Sequence, residues 1–435
     1  MGFTVIGLGY VGLVNAVVFA SYNYDVIGYD VNKDKIALLK QGLSTIEEDG
    51  VQILLTEGRN HLRFTSNDKD AIRPNDTIMI AVNTPEGKDG NLDMRNFYSA
   101  LDSIAENAIQ DTNIIILSTV PIGTNRKTKA YLEERSKYKF EVISHPEFLS
   151  QGRALKDVIS PSRIVIGTES PKAEALIRNI YSRILVTKVP ILVTTPENAE
   201  IIKYASNSYL AMRITFINEI SRLCERVGGD IDKVFLGMSL DPRIGLNYFK
   251  PSLGFGGSCF PKDTRGLYSE SLTKEEPLAL VKATIESNEK QTQFFIDKIF
   301  KRFKTLSNMK IAVLGLAFKG GTEDVRNSPA IPVVKALLDR YGEVYAYDPL
   351  AEDNFHAIFS RHTHIHYVDY VNDALKDADL AIILTDCSEF KKFTVNDFKI
   401  MKNPVVFDGR NLYKLENMKG IEYHSIGRPS VLEKK

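Results

Sequence analysis

Phe3-Thr-Val-Ile6-Gly7-Leu-Gly9-Tyr10-Val11-Gly12 decides the fold. A β-rich run ends in three glycines spaced Gly-x-Gly-x-x-Gly, and an apolar stretch from about 11 to 22 follows. That order predicts a strand turning directly into a helix. Glycines let the turn close tightly and let backbone N–H groups face a pyrophosphate at the helix N-terminus. The next strand, Asp25-Val-Ile-Gly-Tyr29, ends at Asp30, 18 residues after Gly12 and placed to accept from a ribose 2′-hydroxyl and repel a 2′-phosphate. Gly7, Gly9, Tyr10, Val11, Gly12 and Asp30 are therefore read as an NAD site, NAD being favoured over NADP. Lys35, one helical turn on, has the plainer reading of a solvated face and is kept as an outer cofactor candidate.

Working outward, Val/Ile-rich strands recur at Thr77–Ala81, Asn113–Leu117 and Glu141–Ile143. Strands alternating with amphipathic stretches predict a parallel, doubly wound sheet. A helical tract from roughly 196 to 228 follows, stopped by Gly228-Gly229. After residue 308 the opening pattern returns: Met309-Lys-Ile-Ala-Val-Leu-Gly315 echoes the first strand, Val344-Tyr-Ala-Tyr-Asp348 echoes Val26–Asp30, and Asp379–Thr385 echoes Asp76–Ala81. The fold expected is α/β, with two Rossmann-like doubly wound sheets joined by a central helical domain with a long helix. The boundaries read as 1–195, 196–300 and 301–435, with a cleft for ligands between the outer domains.

Composition narrows the function. The 435 residues carry 55 Lys plus Arg against 55 Asp plus Glu, so no basic excess recruits nucleic acid or anionic membrane, and a small-molecule partner is favoured. Cys224, Cys259 and Cys387 are far apart and odd in number, which argues against a disulfide framework and a zinc site. No signal-peptide pattern opens the chain and no apolar run reaches membrane-spanning length, so a cytoplasmic protein is expected.

Chemistry concentrates at Gly254-Phe-Gly256-Gly-Ser-Cys259-Phe-Pro-Lys262-Asp263. Glycines allow close approach to a ligand, and a neighbouring cation favours a nucleophilic thiolate; a buried structural cysteine is the plainer alternative. A second glycine turn, Gly315-Leu-Ala-Phe-Lys319-Gly-Gly321, has the same strand-to-loop position as the first and offers a lysine for phosphate or nucleotide contact, with Arg326 downstream. Ser118-Thr119 end a strand, Glu147 lies in His-Pro-Glu-Phe-Leu, and Lys203 with Asn207 form an i, i+4 pair on one helix face. His362, His364 and His366 alternate and would share one strand face; an exposed strand explains them more simply than a metal.

Taken together, Gly7–Gly12, Thr84-Pro85, His-Pro-Glu147-Phe-Leu, Lys203 with Asn207, Gly-Gly-Ser-Cys259-Phe-Pro-Lys-Asp263 and Gly-Leu-Ala-Phe-Lys319 resemble the UDP-glucose/GDP-mannose dehydrogenase family over essentially the whole chain. Glu147-Phe-Leu and Arg243-Ile-Gly are similar to its UDP-glucose 6-dehydrogenase branch. The resemblance implies a twofold, NAD-dependent oxidation of UDP-glucose at C6 to UDP-glucuronate through a Cys259 thiohemiacetal and thioester. It implies that Lys203 and Asn207 stabilise the oxyanion, Asp263 and Thr119 orient water, and Glu147 is the base in thioester hydrolysis. Glu147, Phe148, Leu149, Ser150, Gln151, Lys203, Asn207, Tyr248, Phe249, Lys250, Ser252, Gly256 and Lys319 would hold the UDP-sugar, and Arg243 would reach a partner subunit's site. Thr84, Ser118, Thr119, Gln151, Lys262 and Arg326 would line the NAD side, and a homodimer through the central helix is implied.

Three positions depart from the family's usual pattern: His145 stands before the proline where Asn is common, Gln151 replaces a second acid, and Cys387 replaces a tryptophan. Glu147 is thus the acid left in its segment. A dehydrogenase for another nucleotide sugar, UDP-N-acetylmannosamine or GDP-mannose, and a catalytically silent dinucleotide sensor are the competing readings. The joint presence of Cys259, Lys203, Asn207 and Asp263 speaks against the second.

Overall fold

A computed structural model describes residues 2–87, 90–185 and 188–432. The chain divides into two compact units, Met1–Ser206 with Ser269–Glu275, and Asn207–Tyr268 with Glu276–Lys435.

Among the described residues, the first unit is built on an eight-stranded sheet ordered β3-β2-β1-β4-β5-β6-β7-β8. The strands are β1 (Gly2–Ile6), β2 (Asp25–Tyr29), β3 (Leu62–Thr65), β4 (Thr77–Ile80), β5 (Thr112–Ile116), β6 (Phe140–Ser144), β7 (Ile164–Gly167) and β8 (Ile191–Thr194). The first six are parallel in the doubly wound order, and β7 meets β6 antiparallel. In β1 and in β4 to β7 both faces are buried, which is why these strands read as continuous apolar runs. In β5, Ile115 packs into one core while Ile114 and Ile116 pack into the other. Helix Tyr10–Ser21 is apolar nearly all round and buried from Gly12 to Ala20, whereas helix Arg95–Asn107 buries one apolar stripe, Phe97, Ala100, Leu101, Ile104 and Ala105, together with Asn107 at its end.

The second unit repeats the arrangement with β9 (Lys310–Leu314), β10 (Glu343–Tyr347), β11 (Ile365–Tyr367), β12 (Leu380–Ile383), β13 (Val405–Asp408) and β14 (Glu422–Ser425), in the order β11-β10-β9-β12-β13-β14, all parallel. Alternation again splits the strands between two cores: Ile311 and Val313 face one, Ala312 and Leu314 the other. The echo noted in sequence is therefore structural. The α/β class with two Rossmann-like sheets and a long central helix is the architecture observed.

That helix runs Pro196–Val227, beginning at a proline, whose fixed φ suits a first helical position. It stops where Gly228 turns to φ +74° and the Gly229 N–H donates to the Cys224 carbonyl at 2.8 Å, a Schellman-type end.

Candidate active site

In the first unit the glycine turn is sterically obligatory. Gly7 sits at φ +90°, and a Cβ on Gly12 would lie 1.8 Å from the Gly7 carbonyl oxygen. Helix Tyr10–Ser21 starts at Gly9 with no side-chain cap and no acid in its first turn, so its N–H groups and positive dipole end suit a diphosphate. Asp30, at the end of β2, accepts from the Leu8 N–H at 2.9 Å and the Asn32 N–H at 3.0 Å, fixing the turn while holding a carboxylate where a ribose would lie. Lys35 is not simply a solvated side chain: its Nζ donates to Asp30 Oδ2 at 3.1 Å. The loops after β4 and β5 are tied together, Thr84 Oγ1 donating to the Thr119 carbonyl at 2.7 Å and Ser118 Oγ to the Val82 carbonyl at 2.8 Å. These residues fit NAD.

Glu147 and Lys203 form a pair: Lys203 Nζ donates to Glu147 Oε1 at 2.8 Å and to the Glu147 carbonyl at 2.7 Å, while Oε2 accepts from the Leu149 N–H at 2.6 Å. The two side chains are 11% and 4% exposed, so the ion pair is shielded from solvent. Arg163, which sequence reasoning missed, stacks its guanidinium 3.8 Å from the Phe148 ring centroid and donates to Ser206 Oγ, while Lys203 approaches the same ring at 5.6 Å. Phe148 is thereby held by two cations.

The departures have local explanations. His145 is buried between the Val165 carbonyl and the Tyr181 hydroxyl, each 2.8 Å from a ring nitrogen, and burial lowers its pKa; it is a neutral tie from β6 to β7 and to helix Pro171–Ser182. Beside Gln151, the Glu48 carboxylate accepts the Gly152 and Ala154 N–H groups, each at 2.6 Å. Ser150 donates its N–H to Asp157 Oδ2 at 3.0 Å. Glu48, distant in sequence, thus orders this loop together with the nearby Asp157, and no local pattern announced Glu48. Cys387 lies in an apolar core, and burial, with Asp348 and Asp386 adding to it, pushes its thiol up; Cys224 is raised the same way. Neither is suited to thiolate chemistry.

In the second unit, Cys259 stands at the mouth of helix Phe260–Thr273: its carbonyl accepts the Asp263 N–H at 2.8 Å, so a thiolate there would face the positive end of the helix. Asp263 is 0% exposed. Its carboxylate is held from both sides, by Asn207 Nδ2 at 2.6 Å and Lys262 Nζ at 2.7 Å. The glycines bring this loop against the segment around Asn327. Gly257, at φ +81°, donates its N–H to the Arg326 carbonyl at 2.8 Å, and a Cβ on Gly256 would lie 2.3 Å from the Asn327 carbonyl oxygen. Ser252 is buried, its N–H donating to Asn218 Oδ1 at 2.8 Å.

The second glycine turn is also fixed by an acid at the end of the neighbouring strand. Asp348 accepts from the N–H groups of Leu316, Ala317, Leu350 and Ala351 at 2.7 to 3.1 Å. Lys319 lies 5.6 Å from the Phe318 ring centroid. Arg410, another residue sequence reasoning missed, donates to the Phe318 and Leu384 carbonyls at 2.6 and 2.7 Å. Burial alone would raise Asp386, but Arg410, the Gly320 N–H and Lys391 hold it down at about 2. Arg326 folds onto Asp324 and Arg243 onto Asp241, the latter with its side chain 88% exposed. Tyr248 adopts φ +56°, and Lys250 is exposed. Phe249 packs its ring among Phe216 and Phe235, which leaves its backbone for any ligand. Of the histidines, His364 and His366 share the Glu343 carboxylate on β10, while His362 lies outside the strand against Phe359.

With these two glycine turns and the cysteine loop in place, comparison with known proteins is decisive. The sequence pattern of the UDP-glucose/GDP-mannose dehydrogenase family matches as its NAD binding domain over residues 1–185, its central domain over 197–290 and its UDP binding domain over 312–415. This chain belongs to that family. UDP-glucose 6-dehydrogenase TuaD of Bacillus subtilis is 42% identical over 434 residues, 98% of this chain and 93% of TuaD. A UDP-glucose dehydrogenase structure from Pyrobaculum islandicum superposes with a TM-score of 0.92 at 34% identity, and a UDP-D-ManNAc dehydrogenase structure from Pyrococcus horikoshii with 0.87 at 30%. Each covers 98% of this chain, and 98% and 99% of its own. The family member described here is an NAD-dependent oxidoreductase acting in nucleotide-sugar chemistry, and none of its described helices is long and apolar enough to cross a membrane.

Proposed function

We propose that the chain oxidises UDP-glucose twice at C6, giving UDP-glucuronate. The observation that carries the proposal is Cys259 at a helix N-terminus one turn before Asp263, whose buried carboxylate is held by Asn207 and Lys262. Bound NAD supplies the hydride acceptor. A dehydrogenase that stopped at the aldehyde would need no nucleophile; Cys259 adds to the aldehyde carbon as a thiohemiacetal, which after oxidation is a thioester. The ammonium of Lys203 and the amide of Asn207, one turn apart on the long helix, supply donors to the developing oxyanion. Asp263 and Thr119 orient the hydrolytic water, and Glu147 takes its proton. Gly7, Gly9, Gly12 and Asp30 hold the dinucleotide, while Phe148, Leu149, Lys250 and Lys319 hold the UDP-sugar.

Relatives named UDP-glucose 6-dehydrogenase, 36 to 42% identical across the chain, support this substrate. The structural likeness to a UDP-D-ManNAc dehydrogenase motivates a second reading, oxidation of an N-acetylated UDP-sugar. NADH formation assayed with UDP-glucose, UDP-N-acetylmannosamine and GDP-mannose separates them. UDP-glucose is expected to give the highest kcat/KM, and preference for an N-acetylated sugar would overturn the assignment.

A homodimer through the long helix is part of the proposal. Tyr209, Phe216 and Leu223 recur every seven residues and are 56%, 46% and 55% exposed, a stripe that a second copy would cover. Sedimentation of Tyr209→Glu/Leu223→Glu is expected to give a monomer where the native protein gives a dimer; a native monomer would refute the assembly. A cytoplasmic location belongs to the same reading, supported by three cysteines of which none is in a disulfide.

A further inference from the structure

Glu200 is a buried acid, 4% exposed, that the proposed mechanism does not use. It lies on the long helix three residues before Lys203. Its carboxylate accepts the Gly123 N–H at 2.5 Å and the Asn125 N–H at 2.9 Å, with Ser144 Oγ at 3.4 Å. It therefore caps helix Thr124–Arg135, whose own N-cap, Gly123, has no side chain to do so. Beside it is a cavity of about 10 Å³, lined by Ser118, Thr119, Ser144, Glu200 and Lys203 with the apolar Ile116, Val120 and Pro146. The space admits one water, and the polar lining supplies the partners such a water needs.

Burial pushes the Glu200 carboxyl up to about 7, against the pull of the Asn125 and Gly123 N–H groups and the Ser144 hydroxyl; the charge of Glu197 adds to the rise. Lys203 faces the cavity from the same helix, paired with Glu147. Arg126, from the capped helix, is engaged by Glu169 and Glu197. β6 contributes only the neutral Ser144 at this point. A purely structural cap works best as a permanent anion, whereas this carboxyl is poised to exchange a proton near neutrality.

We propose that Glu200 is a proton-relay residue acting behind Lys203 and Thr119 through one water seated in this cavity. The inference rests on the proposed oxidation. In the first half-reaction the alcohol C–H bond breaks, its hydride passing to NAD, and the O–H bond breaks, its proton passing through the water to a Glu200 carboxylate oxygen. The alcohol becomes the aldehyde, and Glu200 becomes a neutral acid that later releases its proton to solvent. Glu200 itself contacts neither substrate nor cofactor, so it is a positioning residue for the proton.

Single-turnover hydride transfer, measured against pH on the full chain with NAD and UDP-glucose, tests the relay. The native rate is expected to fall as pH drops through about 7. Glu200→Gln should lower the rate at alkaline pH by on the order of 10²-fold and erase that inflection, while Glu200→Asp should restore part of both. Infrared titration of the protein without NAD should show a carboxylic-acid C=O band growing in below that pH and missing from Glu200→Gln. A Glu200→Gln protein with a lowered melting temperature but the native rate, profile and band would overturn the relay and leave only a helix cap. No turnover of UDP-glucose by the native protein would sink the underlying reaction together with the relay. An active native enzyme with an indifferent Gln variant would sink the relay alone.

Discussion

Cys259→Ser is expected to lose formation of the carboxylate by on the order of 10³-fold or more, while the first hydride transfer survives. The asymmetry follows from the chemistry assigned to the thiol. Oxidation of the alcohol to the aldehyde needs a hydride acceptor, an oxyanion donor and a proton acceptor, none of which is Cys259. The second oxidation needs a nucleophile whose adduct can be oxidised and then released by water. A serine hydroxyl, far less acidic than a thiol, is a poor substitute even at a helix N-terminus. The substitution is nearly isosteric on a half-buried residue whose sulfur lies 3.7 Å from Ser258 Oγ, so folding should be little affected. Aldehyde trapped with a hydrazine reagent, counted against NADH, reads the outcome; undiminished acid production would remove the thiol from the mechanism.

Lys203→Met is the second large effect, and it should appear in two quantities at once. The side chain is 4% exposed and ion-paired at 2.8 Å with a Glu147 that is 11% exposed. Breaking a buried pair by deleting one partner leaves an uncompensated charge and costs about 3–5 kcal/mol. Loss of a preorganised oxyanion donor lowers kcat by on the order of 10²–10³-fold. A double variant separates the two: adding Glu147→Gln should recover much of the stability without recovering the rate of the first hydride transfer, a step in which Glu147 has no assigned role. Denaturant unfolding and the single-turnover rate of the first hydride transfer, measured on the same preparations, check both halves. If the double variant regained activity together with stability, Lys203 would be a structural cation rather than an oxyanion donor.

How far the sequence reached depended on the range of the interactions involved. The glycine turns were legible because a strand, a positive-φ glycine and an acid at the next strand end form one local grammar, and the second copy repeats it: Gly7 and Gly315 adopt φ +90° and +93°, and Asp30 and Asp348 each accept N–H groups from their turn. Long apolar strands such as β1 and β5 could be read from composition because parallel strands are buried on both faces. Short ones such as β3, Leu-Arg-Phe-Thr, carry too few residues and too much exposure to announce themselves. Site residues within one motif were found. Partners that meet across the fold were not: the pairing of Lys203 with Glu147, the capture of Asp263 by Asn207, and the backbone-capping carboxylates Glu48 and Glu200 join residues from 56 to 106 positions apart. A capping acid distant in sequence leaves no spacing to detect. Glu200 alone left a faint trace, since Glu200, Lys203 and Asn207 recur at i, i+3 and i+7 on one helix face.

In the proposed reaction Cys259 carries the product past the aldehyde. The direct measurement is the amount of NADH formed per UDP-glucose consumed when the sugar nucleotide is limiting and NAD is in excess. Two equivalents with UDP-glucuronate as the end product is the predicted result, and one equivalent with an aldehyde left in solution would contradict it.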